Sequence, residues 1–230
     1  MTIEILEFVE GARTAKGLTV IIDVFRAFSV ACYAFDSGVS GVIATGSVEE
    51  ALRLRKEYRN SMLAGERDEK KIPGFDFGNS PTEIIKTDLH GITLIHSTTA
   101  GTNGLVNASG ASPLLTGSLV NAGAIVKYIR VARPERVSLV AMGYRAQVSA
   151  EEDLLCAEII AARLKGENKD FQNRISNLKE TAGKRFFNPE NIDFSPPTDF
   201  FLCTMTDRFS FVLKAEKRDD GNINLMKIEI

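Results

Sequence analysis

Five polar groups, each directly after an apolar run, carry the residue types that could do chemistry. Asp23-Val-Phe-Arg26 ends one run and opens a helical pattern. Helix N-terminal amides and a guanidinium placed there can face the same anion, although a capping Asp beside a solvated Arg is the plainer reading of that segment alone. Gly65-Glu66-Arg67-Asp68 follows another run, and Gly78-Asn79-Ser80-Pro81 closes the same long loop. The turn Ser97-Thr98-Thr99-Ala100-Gly101-Thr102-Asn103-Gly104 sets hydroxyls and an amide beside two glycines, a composition able to cradle phosphate oxygens but equally an ordinary Ser/Thr cap. Gly117-Ser118, with Asn121, marks a further strand-to-helix turn. Glu151-Glu152-Asp153 begins a long helix, where acids suit the macrodipole and where carboxylate oxygens could hold Mg²⁺. Arginines, hydroxyls and carboxylates together are the equipment of anion binding and phosphoryl chemistry.

The missing residues narrow that chemistry. The only histidines are His90 and His96, and there is no tryptophan. No Arg-His pair, His-Glu-x-x-His, P-loop or Gly-x-Ser-x-Gly element is present. Cys203 to Arg208 is one residue too short, and Cys156 to Arg163 one too long, for the loop in which a cysteine and an arginine share one phosphate. No Asp-x-Asp pair supports an aspartyl-phosphate. His96 directly precedes the hydroxyl turn and is read as a support for ligand-binding residues; His90 is read as solvated.

Those groups must be positioned by a chain of 230 residues with 28 basic and 30 acidic side chains, a net charge of −2. No broad basic surface exists to attract nucleic acid or anionic lipid, so any polyanion must be met by a local cluster of cations. Cys32, Cys156 and Cys203 are odd in number, far apart and without zinc spacing, which fits a reducing compartment. The N-terminus lacks the basic and apolar regions of a signal peptide, and no apolar run approaches the ~20 residues that span a bilayer.

Apolar β-branched runs alternate with helical patterns through about residue 165. Strands are expected at 18–24, 41–45, 62–64, 92–95, 113–116 and 137–142, and helices at 27–35, 47–58, 118–130 and 150–164. Such alternation argues for an α/β fold with a mainly parallel sheet covered on both faces, whose ligands bind beyond the carboxyl ends of the strands. Residues 65–83 read as a charged, turn-rich loop, long enough to be functional. Residues 166–185 read as a weakly packed helix. Segments 209–215 and 224–230 read as a hairpin that pairs at a sheet edge or with a second subunit.

In this order the five groups resemble the 2-phosphosulfolactate phosphatase family. The carrying residues are Val20-Ile-Ile-Asp23-Val-Phe-Arg26-Ala27, Gly65-Glu66-Arg67, Ile72-Pro-Gly-Phe-Asp76-Phe-Gly-Asn79-Ser80-Pro81, Thr98-Thr99-x-Gly101-Thr102, Gly117-Ser118 with Asn121, and Glu152-Asp153. The resemblance covers about residues 1–165 and continues weakly through Asp207-Arg208-Phe209. Many relatives have Asn where this chain has Ala100, a contact that Asn103 could supply instead. The resemblance implies one domain over residues 1–230 with a three-layer α/β/α sandwich, a core at 1–165 and an extension at 166–230 ending in an edge hairpin. It also implies a cytoplasmic, Mg²⁺-dependent enzyme, a homodimer, that releases phosphate from 2-phospho-3-sulfolactate on the way to coenzyme M. Asp23, Arg26, Glu66 and Arg67 are the expected catalytic residues. Asn79, Ser80, Ser97, Thr98, Thr99, Gly101, Ser118 and Asn121 are the expected substrate donors, and Asp23, Glu66, Glu152 and Asp153 the expected metal carboxylates.

The chemistry is consistent with those roles. A substrate carrying phosphate, carboxylate and sulfonate has a charge of about −4, which a protein of net −2 holds only through a metal ion and focused arginines. With no nucleophile motif, attack by activated water is favoured over a phosphoenzyme. A phosphatase of another small phospho-carboxylate, and a non-catalytic anion-binding module, are the alternatives.

Overall fold

A computed structural model describes residues 1–230. Ten strands form one mixed sheet in the order β1-β8-β2-β7-β9-β10-β3-β6-β4-β5. The first half comprises β1 (Thr2–Glu7), β8 (Arg136–Ala141), β2 (Gly17–Ile22) and β7 (Ala111–Gly117), all parallel. The second half comprises β3 (Gly41–Ala44), β6 (Thr93–Ser97) and β4 (Ser61–Arg67), also parallel, with the two-residue β5 (Lys70–Lys71) folded back on β4. No helix is long and apolar enough to cross a membrane.

β2 shows why these segments are strands. Leu18, Val20 and Ile22 enter one apolar cluster and Ile21 the opposite one, so the run is apolar throughout because both faces are covered. On one face lie α6 (Ala122–Ala132) and α7 (Glu151–Lys165), with α3 (Val48–Glu57) over the second half. On the other lie α1 (Phe8–Thr14), α2 (Ala27–Asp36), α4 (Pro81–Ile84) and α5 (Gly101–Asn107). This is the expected α/β/α sandwich. α2 is buried from Ala27 to Ala34. It packs in a cluster that also takes Ile21 from β2, Val42 and Ala44 from β3, Ala64 from β4 and Leu94 from β6, so both halves of the sheet close around it.

The hairpin is not at an edge. β9 (Phe211–Lys217) pairs with β7, and β10 (Ile223–Glu229) pairs with β3, both antiparallel. Each half-sheet would otherwise leave one edge of backbone donors and acceptors unpaired beside the core, and the hairpin satisfies both. Its alternation (Phe211, Leu213 and Ala215 inward on one side, Val212 on the other) identifies half-buried strands but carries no information on neighbours. Antiparallel insertion makes the two halves run in opposite senses. Five strand steps separate β2 from β6. At about 20–25° of twist per step the accumulated rotation is roughly 100–125°, enough for the carboxyl ends of β2, β4 and β6 to meet on one rim.

Three other expectations change. β1 and α1 precede the first strand read from sequence; the acids interleaved in Thr2–Glu7 mask an outer strand that pairs only with β8. The 65–83 loop is partly core, because Ile72 and Phe75 pack with Leu63 and Ile95 and Phe77 bridges to Ala64. Residues 166–204 form no long helix: the stretch read as a weakly packed helix at 166–185 is mostly exposed, with Ile175 and Leu178 turned inward, and close packing comes later through Phe186, Phe200 and Cys203. The segment forms α8 (Gln172–Asn177), two 3₁₀ turns (Lys184–Phe187 and Pro189–Asn191) and α9 (Pro197–Thr204). Phe186 and Phe200 from this tail lie 5.1 Å and 5.9 Å from the ring of Phe25.

Candidate active site

The strand ends converge on a polar recess lined by Asp23, Arg26, Glu66, Asn79, Thr99 and Ala100, together with Phe25, Asp68, Glu69, Gly143, Tyr144, Arg145 and Arg185. Asp23 follows β2. Its Oδ1 accepts the Ala27 N–H at 3.0 Å, the start of α2. Burial pushes its carboxyl up to about 6, with the Glu66 charge adding to the rise and the Ala27 and Gly101 amides and Arg185 opposing it. Gly101 is required here, since a Cβ would stand 2.8 Å from Asp23 Oδ2.

Glu66 is the penultimate residue of β4 and is held at both oxygens. Oε1 accepts the Thr99 N–H at 2.7 Å and Oε2 the Glu69 N–H at 3.0 Å. The Thr99 hydroxyl is buried with no partner in the chain. Glu152, in the first turn of α7, reaches the same region. Burial pushes its carboxyl up to about 7; Arg185 pulls it down and the Asp23 charge pushes it further up. Its Oε2 is buried without a partner. Asp153 is different: its two oxygens accept the N–H groups of Val24 at 2.8 Å and Gly143 at 2.9 Å, pinning the ends of β2 and β8 together. Burial, then the charges of Glu152 and Asp23, raise its carboxyl well above the usual range.

The cations are already committed. Arg26 Nη1 donates to Asp199 Oδ2 and to the Phe194 carbonyl, both at 2.6 Å, and Nη2 donates to the Glu69 carbonyl at 3.3 Å. Arg145 pairs with Asp68 at 2.7 Å and Arg185 with Glu69 at 2.8 Å. Asp23, Glu66 and Glu152 have no ion-pair partner within salt-bridge distance. The recess therefore gathers buried carboxyls whose charge is costly unless a cation or a proton neutralises it.

These donors suit a hard divalent cation. No three His, Cys, Asp or Glu residues converge on a single point, so the site is not an all-protein cage. Mg²⁺ commonly takes one or two carboxylates and keeps several waters. Asp23 and Glu152, buried and short of counter-charge, with the unpartnered Glu152 Oε2, fit that smaller demand.

A family profile described as 2-phosphosulpholactate phosphatase matches residues 4–193. The chain belongs to that family of phosphoric monoester hydrolases. A Caldanaerobacter subterraneus protein named probable 2-phosphosulfolactate phosphatase is 38% identical over 212 residues, covering 85% of this chain and 86% of the relative. A protein of the same name from Thermotoga maritima is 33% identical over 202 residues, covering 84% and 86%. Another from Bacillus subtilis is 29% identical over 210 residues, covering 90% and 89%. The family match includes every recess residue, Arg185 among them, and stops short of Asp199.

Within this family fold, the sequence-derived residues separate into two sets. Asp23, Arg26, Glu66, Asn79 and Thr99 line the recess, and Gly101 and Glu152 stand beside Asp23. The others are engaged elsewhere. Arg67 donates to Ser97 Oγ at 3.0 Å and to the Glu66 carbonyl at 2.7 Å, bracing the ends of β4 and β6. Thr98 and Thr102 exchange backbone-to-hydroxyl bonds at 3.1 and 3.2 Å. Ser80 Oγ donates to Asp199 Oδ1 at 2.8 Å. Ser118 and Asn121 form a fully buried capping box, and the Ser118 hydroxyl is 2.6 Å from that of Ser29. Arg67 was expected in catalysis and Ser80, Ser97, Thr98, Ser118 and Asn121 as substrate donors; here their side chains meet nearby backbone and the side chains of Asp199, Ser29 and one another. His96 Nε2 stands 3.1 Å from Asn79 Oδ1 and supports the recess wall from behind. Arg145 and Arg185 were not anticipated: Arg145 lies in the polar turn just after β8, and Arg185 in the polar tail far in sequence from the strand ends it faces.

Proposed function

We propose that the protein hydrolyses the phosphate monoester of a small 2-hydroxy acid, 2-phospho-3-sulfolactate foremost, with Mg²⁺ as cofactor. One observation carries the reading: Asp23 and Glu66, from distant parts of the chain, line one recess with Glu152 close enough behind to act on Asp23, and none of the three has an ion-pair partner within salt-bridge distance. The names of the relatives supply the substrate.

Asp23 and Glu152 are the residues that would hold the ion. When bound, Mg²⁺ neutralises charge on the phosphoryl oxygens and acidifies water. Glu66 does the orienting. Each of its oxygens is aimed by one backbone N–H, and the remaining lone pairs can accept a proton from the attacking water. The Thr99 hydroxyl, free of partners, is placed to donate to an anionic oxygen. Arg26 and Asp199 hold the wall. The phosphorus–oxygen bond to the 2-carbon oxygen breaks as water oxygen bonds to phosphorus, giving the hydroxy acid and inorganic phosphate. Because the transferring group does little covalent chemistry with the protein, positioning and charge neutralisation supply most of the acceleration.

The test is phosphate release from a panel of 2-phospho-carboxylates, with and without a sulfonate, in Mg²⁺ and in EDTA. Release that needs Mg²⁺ and is fastest on the sulfonated ester supports the reading. Tight binding without release would point to an anion-binding module, and equal release in EDTA would remove Mg²⁺ from it.

A further inference from the structure

Three arginines line the recess, but only Arg185 buries a donor without a partner: its Nε–H. Its other donors hold it in place. Nη1 reaches Glu69 Oε1 at 2.8 Å and Nη2 the Phe25 carbonyl at 3.1 Å. The guanidinium also lies 5.7 Å over Tyr144 and 5.2 Å over Phe186. A guanidinium fixed on both terminal nitrogens and packed between two rings is preorganised. A buried, unpartnered N–H on a charged group is costly unless something accepts from it. Arg185 lies close enough to Asp23 and Glu152 for its charge to act on both carboxylates.

Arg26 also lines the recess but is tied more closely to the tail. Its side chain is 3% exposed, and its ion-pair partner Asp199 is fully buried. Arg145, about half exposed and paired with Asp68, sits at the rim. On its outer side Arg185 also lines a second cleft with Lys179 and Lys184, opposed there only by Glu180.

We propose that Arg185 is the substrate-contacting arginine, its Nε–H donating to an oxygen of a tetrahedral oxyanion of the substrate, and that Arg26 is an anchor for the tail. The inference rests on the phosphatase reading. Phosphate and sulfonate share the recognised chemistry, and the two are separated by substrate choice.

Arg185→Gln and Arg185→Lys are compared with wild type on the sulfonated ester and on its analogue lacking sulfonate. Loss of a charge-assisted bond predicts a fall in kcat/KM of about 10- to 100-fold in the Gln variant, with partial recovery in the Lys variant. A fall in kcat on both esters assigns the contact to phosphate. A rise in KM confined to the sulfonated ester assigns it to sulfonate. A folded Gln variant within twofold of wild type on both overturns the proposal. If the Gln variant does not fold, the wild-type chain decides. With Mg²⁺ present, the Arg185 Nε–H proton resonance, assigned by its loss in Arg185→Lys, shifts saturably on adding inorganic phosphate or a small alkyl sulfonate; no shift with either overturns the contact. Wild type inactive on every ester would sink the phosphatase reading, while these titrations would still decide the role of Arg185.

Discussion

Arg26 and Asp199 meet at 2.6 Å although 173 residues separate them, and neither side chain is appreciably exposed. The other Asp199 oxygen accepts from Ser80 Oγ at 2.8 Å and the Thr82 N–H at 3.0 Å. One carboxylate thus ties the turn after β2, the start of α4 and the tail together around the recess.

Asp199→Asn would leave the Arg26 charge buried and uncompensated. Breaking such a pair costs about 3–5 kcal/mol, a fall in Tm of roughly 6–20 °C for a chain of this size. Calorimetry is the check. The double variant Arg26→Met with Asp199→Leu is expected to be more stable than either single one, because no lone charge remains. Additive losses would show that the pair is not coupled.

Gly101→Ala would press a methyl group against Asp23 Oδ2 at 2.8 Å and Ala27 Cβ at 2.9 Å. Overpacking of this kind costs about 1–3 kcal/mol. Since the displaced neighbour is the carboxylate proposed to hold Mg²⁺, kcat is expected to fall at least ~10-fold at temperatures where the variant stays folded. Wild-type kcat in a folded Gly101→Ala protein would show that the position of Asp23 is not critical.

With Asp23 and Glu152 as the proposed ligands, Mg²⁺ is expected to stabilise the folded chain, because those carboxylates are assembled only there. At a hundredfold excess over Kd the gain is about 2.7 kcal/mol, or roughly 5–11 °C in Tm. EDTA should reverse it. Glu152→Gln should remove most of the shift. In metal-free buffer at pH 8 the same variant should melt higher than wild type, since it no longer buries that charge. A Tm indifferent to Mg²⁺ would contradict the assignment of Asp23 and Glu152.

Burial depresses His96 from 6.5 to about 4. Between those values the unfolded chain binds a proton that the folded chain refuses. Stability from this residue is therefore full above pH 6.5, declines as pH falls through the window, and levels off below pH 4. The total is of order 3 kcal/mol. His96→Gln retains an amide able to reach Asn79 but cannot titrate. Urea denaturation from pH 7 to pH 4 should show a loss smaller by about that amount in the variant than in wild type. Parallel profiles would mean that the imidazole is protonated in the folded state.

Much of this protein is legible locally. Period-two and helical patterns marked most elements, and the polar groups after strands located Asp23, Glu66, Thr99 and Glu152. A buried parallel strand advertises itself by continuous apolarity, and ligand residues in such folds gather where strands end. Ser118 and Asn121 carried the same signal for a different reason: a capping box and a ligand donor use the same residue types.

What the chain alone determined is therefore its repertoire: an α/β sandwich of the phosphosulfolactate phosphatase family, with acids, hydroxyls and arginines at the strand ends. Tertiary structure decided the partners. It set the C-terminal hairpin between the half-sheets instead of outside them, gave Arg26 to Asp199, and brought Arg185 out of a polar tail to face Asp23 and Glu152. Periodicity reports only which face of an element is buried. Which edge a strand completes, and which charge a guanidinium meets, depend on contacts between segments more than 100 residues apart, and these exist only once the core has closed.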